Sequence, residues 1–186
     1  MIVRRVRGIA ALLALVLSQV ALSASEPTSV LASRVARLAA DPRTTQVTPA
    51  TVVAKMRPLV ELKGDPASEV ETTFSGADPA RGVAWARVVF QAASKAGQWQ
   101  FLQLQLGLVP AGEEQASFAR AIAAEMMKRL GAPKKPASNE AERLRTWSLG
   151  KLRVVALREG VFENPIDNTR APVVLVEIAI VQGERD

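Results

Sequence analysis

Few residues in this chain have the types and spacing that catalysis needs. Three pairs of carboxylates stand close together, Glu69 with Glu71, Glu113 with Glu114 and Glu140 with Glu142, and Ser94 stands beside Lys95. Two acids on one strand face could divide general acid and general base work, and a serine beside a desolvated lysine could become a nucleophile. Neither setting is supplied here. Glu69 and Glu71 would share a strand face, but neighbouring acids are usually a solvated surface. Ser94 and Lys95 run into Ala96 and Gly97, a turn composition that keeps a lysine hydrated rather than desolvated. Glu159, Glu163 and Asp167 lack the spacing of a calcium loop.

The chain has no histidine, cysteine or tyrosine. That removes the commonest general base, every thiol nucleophile and nearly every transition-metal ligand set. Gly150 and Lys151 lack the preceding spacing and the following Ser or Thr of a phosphate-binding loop. The expectation is a protein that is not an enzyme and carries neither metal nor cofactor. The three tryptophans and five phenylalanines are expected mostly in the core.

The first 25 residues have the order of a secretory signal peptide: Arg4, Arg5 and Arg7, an apolar run over 8–17, then small and polar residues. Cleavage is expected after Ser23 or after Ser25, since small residues stand at the required positions for both. The apolar run is shorter than the roughly 20 residues of a spanning helix, so no stable membrane span is expected once the leader is removed. A periplasmic or secreted location follows. Residues 26–186 would then form a single domain, stabilised by packing because no disulfide is available. The leader carries three of the 24 basic residues and no acid, so its removal lowers the net charge from +6 to +3. The remaining basic residues are dispersed among acids, which gives no support for nucleic-acid binding.

The elements that would position any site follow from periodicity. After Pro27, a short helix is expected with Leu31, Val35 and Leu38 on one face, and a second after Thr48 and Pro49 with Val52, Val53 and Met56 buried. Val70, Thr72 and Phe74 alternate as an edge strand would. The runs 82–91 and 98–108 have hairpin spacing. In them Ala84, Ala86, Val88 and Phe90, and Leu102, Leu104, Leu106 and Leu108, form two apolar sides. A long helix over 113–130 places Phe118, Ile122, Met126 and Leu130 in a row and stops at Gly131. Further strands are expected near Trp147, through Leu152, Val154 and Ala156, and through Val174, Val176, Ile178 and Ile180. A long loop over 159–172 would join the last two.

The fold class expected is α+β: a mainly antiparallel sheet of four to six strands, the 113–130 helix on one face, and two short N-terminal helices. The order of elements resembles that of small envelope proteins in which helices pack on an antiparallel sheet, the beta-lactamase inhibitor proteins among them, with no motif residue in common. The strand parity opposite the helix would carry Trp85, Arg87, Gln103, Gln105, Arg153 and Glu177, with Trp99 and Phe101 beside them and Trp147 if the parity runs through Gly150. One reading has the N-terminal helices covering the apolar part of this face while Arg87, Arg153 and Glu177 neutralise one another. The other leaves it open as a platform for a partner, because Trp and Arg anchor interfaces.

The functional expectation is an exported, non-enzymatic protein that binds another protein, as an inhibitor or immunity-type partner, through those six residues and the 159–172 loop. The alternative is a small carrier or chaperone holding an apolar ligand between helix and sheet. A carboxylate-based hydrolase, needing two acids that converge in a cleft, is the third.

Overall fold

A computed structural model of the protein describes residues 27–65, 68–93, 97–109, 114–134 and 144–181. The expected leader, Ser94 with Lys95, Glu113, and Glu140 with Glu142 lie outside the described residues.

The chain begins with α1 (Thr28–Ala40), a 3₁₀ turn (Pro42–Gln46) and α2 (Pro49–Met56). Proline at the first position of α2 costs no hydrogen bond, and the Thr48 amide donates to Thr51 Oγ1 at 2.9 Å, so the helix starts where its sequence says it should. Four strands follow, β1 (Lys63–Gly64), β2 (Glu71–Asp78), β3 (Val83–Ala92) and β4 (Trp99–Leu108). Then come α3 (Gln115–Leu130) and three more strands, β5 (Leu144–Leu149), β6 (Arg153–Glu163) and β7 (Arg170–Ile180). Among the described residues, the seven strands form one sheet in the order β1-β2-β3-β4-β7-β6-β5, and every pairing between them is antiparallel. The sheet is thus two meanders, β1 to β4 and β5 to β7. They are joined by the pairing of β4 with β7, and α3 carries the chain between them.

The class is α+β, with seven strands in place of the four to six expected. One addition is the two-residue β1, too short for periodicity to reveal. The other difference is the segment expected as a loop over 159–172, which is mostly strand: β6 and β7 pair continuously from Arg153 with Ile180 to Glu163 with Arg170. Proline lacks the donor a central strand needs, yet the β4–β7 ladder ends at Leu108 with Val174, so Pro172 lies where β7 has outrun its other neighbour. Only residues 164–169 turn. There the Asn164 amide donates to Thr169 O at 2.7 Å, the Asn168 amide to Asn164 O at 2.8 Å and the Ile166 amide to Asn164 Oδ1 at 3.0 Å.

Among the described residues, the three α-helices lie on one side of the sheet. A single core joins Leu31, Val35 and Leu38 of α1, Val52 and Met56 of α2, and Phe118, Ile122 and Met126 of α3 to one face of the strands. The N-terminal helices therefore share the α3 face and do not cover the other one. On the strands that inner face is Val83, Ala86, Val88 and Phe90, then Phe101, Leu104, Leu106 and Leu108, then Val155 and Leu157, then Val174, Val176 and Ile178.

Two bulges adjust the alternation. Val83 pairs with Leu108 but Trp85 with Gly107, so Ala84 is an extra residue in β3 and Val83 turns inward. Val89 pairs with Gln103 but Phe90 with Phe101, so Leu102 is extra in β4. Beyond Leu102 the faces exchange, and Phe101 and Trp99, expected on the outer face, pack with the core. Phe101 meets Phe90 edge to face at 6.1 Å between ring centroids, and Phe90 meets Phe74 of β2 at 5.9 Å.

The β6 parity is also the reverse of expectation. Val155 and Leu157 point inward, opposite Ile178 and Val176, while Val154 and Ala156 point outward. The apolar residues of 152–157 suit either register, and the choice falls with Arg153. Its guanidinium reaches the end of α1, where Nη1 donates to Asp41 O at 2.9 Å and Nη2 to Ala40 O at 3.4 Å. Carbonyls at a helix end are a natural target for such a donor, and that of Asp41 also accepts from the Thr44 amide at 3.0 Å. Trp147, opposite Val155, is consequently inward and buried, and its Nε1 donates to Gly131 O at 2.9 Å.

Candidate functional site

The outer face of the sheet carries no helix among the described residues. Its composition follows from the register. One row runs straight across six strands: Ser75, Arg87, Gln105, Glu177, Ala156 and Thr146. The next holds Thr73, Val89, Gln103, Ala179, Val154 and Ser148. On the other side, Trp85, Gly107, Leu175 and Arg158 form a third row.

Five of the six residues singled out from the sequence therefore meet on this face: Trp85, Arg87, Gln103, Gln105 and Glu177. Arg153 does not join them, because it faces the helices and is held by the end of α1. Burial lowers the affinity of its guanidinium for the proton, and the nearby Asp41 carboxylate opposes that effect. The mutual neutralisation expected of Arg87, Arg153 and Glu177 is replaced by two separate pairs. Arg87 Nη2 lies 3.6 Å from Glu71 Oε1, and Arg158 Nη2 lies 4.0 Å from Glu177 Oε2. Arg158, missed in the sequence, has the outward parity that Arg153 was expected to have.

The third row is the apolar border of the face. Trp85 is 4% exposed and its indole lies over Gly107, where a Cβ would overlap the ring. Leu175, Val173 and Val89 are buried as well. Trp85 is thus a packed side chain under the face rather than a projecting anchor. Arg87, Gln103, Gln105 and Glu177 remain partly accessible.

Beside Arg87 the surface sinks into a hollow of about 350 Å³ lined by Asp65, Ser68, Glu71, Thr73, Ser75, Arg87, Pro165 and Ile166. Pro165 and Ile166 belong to the β6–β7 turn, so that turn borders the same hollow as β2 and β3. The turn is ordered by Asp167, which accepts from the Thr169 hydroxyl at 2.6 Å and the Thr169 amide at 2.9 Å. These bonds hold the Asp167 carboxyl below its ordinary value. Ile166 is left 46% exposed at the rim.

The acids weighed for chemistry are distributed differently. Glu71 is paired with Arg87 and accepts from Thr73 Oγ1 at 3.3 Å, while Glu69 lies in a bend before β2. Asp65 lines the hollow with Glu71 and accepts from Ser75 Oγ at 3.3 Å. Asp167 is engaged by Thr169, and among the described residues no group of three or more acids gathers as a metal site requires. No described helix is long and apolar enough to cross a membrane. Comparison with protein-family models, with curated proteins and with solved structures found no match to this chain.

Proposed function

We propose that the chain is an exported, non-enzymatic protein that binds another protein through the outer face of its sheet, as an inhibitor or immunity-type partner does. The reading is carried by the row Ser75, Arg87, Gln105 and Glu177, which presents hydroxyl, guanidinium, amide and carboxylate side by side with no helix over it. An antiparallel platform of this kind fixes a partner's register by charge and hydrogen bonding, with the strands as a rigid base. Gln103 and Arg158 extend it on either side. The β6–β7 turn, with Pro165 and the exposed Ile166, contributes an apolar rim. Export rests on the residues of the leader, and the missing histidine, cysteine and tyrosine support a binding role over a catalytic one.

The test is affinity capture from an envelope extract with the wild-type protein and with Arg87→Glu/Arg158→Glu. Both residues are on the accessible side of the sheet, so the double variant keeps its circular dichroism spectrum, while its melting temperature falls slightly because each new glutamate stands beside the acid its arginine had paired with, Glu71 or Glu177. A protein recovered by the wild type is expected to disappear with the variant. Equal recovery by both overturns the proposal.

The hydrolase reading draws on one observation, that Asp65 and Glu71 border the same hollow. Both are exposed and each already receives a donor. A general acid needs a carboxyl kept apart from water. The carrier reading gains nothing from the layer between helices and sheet, where Phe118, Ile122 and Met126 belong to one packed core with the strands.

A further inference from the structure

We infer that the outer sheet face is a two-fold self-association surface, on which a second copy of this chain packs with its β4 over β4. The inference rests on the reading of that face as a docking platform and names one occupant for it. The face is self-complementary in charge. In the row Ser75, Arg87, Gln105, Glu177 and Ala156, a guanidinium and a carboxylate stand one strand to either side of Gln105. A two-fold axis running along β4, in the plane between two such faces, exchanges those two sides. Gln105 then meets Gln105 of the second copy, and each Arg87 faces the Glu177 of the other.

The neighbouring rows obey the same operation. Val89 and Ala179 flank Gln103, and Trp85 and Leu175 flank Gly107. Under the axis Val89 comes over Ala179 of the other copy and Trp85 over Leu175, so apolar residues meet at both levels. Farther out, Thr73 and Ser75 of β2 come over Val154 and Ala156 of β6. The β6–β7 turn, at the hollow beside β2 and β3, comes opposite that same stretch of β6. An axis perpendicular to the strands would instead set Arg87 on Arg87 and Glu177 on Glu177, so the charges select one of the two ways to align the sheets.

Neither charge is locked within its own sheet. Arg87 Nη2 is 3.6 Å from Glu71 Oε1, and Arg158 Nη2 is 4.0 Å from Glu177 Oε2, loose pairs between partly accessible side chains. Each can keep its first partner and take a second across the interface. The seam then alternates in sign: Glu71 and Arg87 of one copy, Glu177 and Arg158 of the other. Trp85, Val89 and Leu175 are already buried and add little, so the polar row carries the contact. At ordinary strand spacings the three rows cover roughly 350 Å² per copy, less than half of a standard interface. The dimer is therefore weak and reversible, and it can yield the face to another protein.

Sedimentation equilibrium of the purified protein, from roughly 10 µM to 1 mM, tests this with no other protein present. The wild type is expected to show a monomer–dimer equilibrium. Arg87→Glu and Glu177→Arg each set like charges together and are expected to weaken it about tenfold. An equal mixture of those two variants restores opposite charges at every contact and is expected to dimerise about tenfold more tightly than either alone. Gln105→Lys, on the axis, sets two lysines against each other and is expected to dissociate the dimer with an unchanged circular dichroism spectrum. A wild type monomeric throughout, a charge variant or Gln105→Lys that dimerises as the wild type does, or a mixture no tighter than its components each overturns the inference. A monomeric wild type that still captures a protein through Arg87 and Arg158 leaves the proposed function standing, and a dimer that captures nothing does the reverse.

Discussion

Gly107 owes its place in β4 to the tryptophan beside it. The Trp85 ring fills the space a side chain would occupy, so the residue is set by a close approach rather than by a turn. Gly107→Ala is expected to lower stability by about 1–3 kcal/mol, the usual cost of overfilling a packed site. Urea unfolding measures it, and the loss should shrink in a Trp85→Ala background because the two sites are in contact. A second residue-scale prediction concerns Asp41. The hydrogen bond from Lys55, with that from the Arg43 amide, holds its carboxyl below the ordinary value of 3.8, against a smaller opposing effect of burial. A group depressed in the folded state adds stability above its unfolded pKa, and that stability is lost as pH falls through the folded value. Asp41→Asn keeps an oxygen acceptor for the Arg43 amide but not the ion pair. Its melting temperature should lie below that of the wild type at neutral pH, and the difference should close as the pH falls through the lowered folded-state value of Asp41. At this scale the sequence was readable for types and less so for partners. It marked Arg87 and Glu177 as outward charges, but the pairs they make, with Glu71 and Arg158, depend on which residues stand diagonally across strands.

Among the elements, β4 shows why alternation alone misassigns a face. Leu102, Leu104, Leu106 and Leu108 read as an unbroken apolar side, yet Leu102 is a bulge, and Trp99 and Phe101 take the inward positions beyond it. The two aromatic rings are the larger burial, and one extra residue is enough to bring them inward. Deleting Leu102 should consequently be tolerated: Gln103 stays outward, Phe101 and Trp99 stay inward, and the ladder to β3 becomes regular. Deleting Leu104 instead forces Gln103 into the core and should unfold the domain. Near-ultraviolet circular dichroism of the two deletions separates these outcomes. The helices were legible in the start of α2 at Pro49, the stop of α3 at Gly131 and the apolar rows, while the starts of α1 and α3, whose N-caps Pro27 and Glu114 make no side-chain cap, were not fixed by sequence. In β6 the apolar pattern fits both registers. What separates them is a contact between Arg153 and the end of α1, two segments far apart in sequence, which no local pattern displays.

The whole molecule is a pair of meanders closed by one ladder. β4 and β7 meet near the centre of the sheet, with Leu106 opposite Val176, and both are buried under the helices. Because α1 and α3 pack on each other across that seam, the halves have one core rather than two. Leu106→Ala should cost about 2–5 kcal/mol. It should also leave a single transition, in which Trp99 of the first meander and Trp147 of the second, each followed in a variant lacking the other tryptophans, lose their fluorescence signal at the same denaturant concentration. The division of labour between faces was visible at this scale from strand parity, while the placement of all three helices on one side was not. Amphipathic helices record that they bury a face, not which side of a sheet receives it.

One side chain connects the two sides mechanically. Gln115, in the first turn of α3, donates from Nε2 both to Gly160 O at 3.1 Å and to Val173 O at 2.7 Å, so a single amide is riveted to both arms of the β6–β7 hairpin. The far end of that hairpin is the turn that borders the hollow on the outer face. A load applied at Pro165 and Ile166 therefore runs down β6 and β7 and is handed to the amino end of α3 at Gly160 and Val173, by hydrogen bonds as well as by side-chain packing.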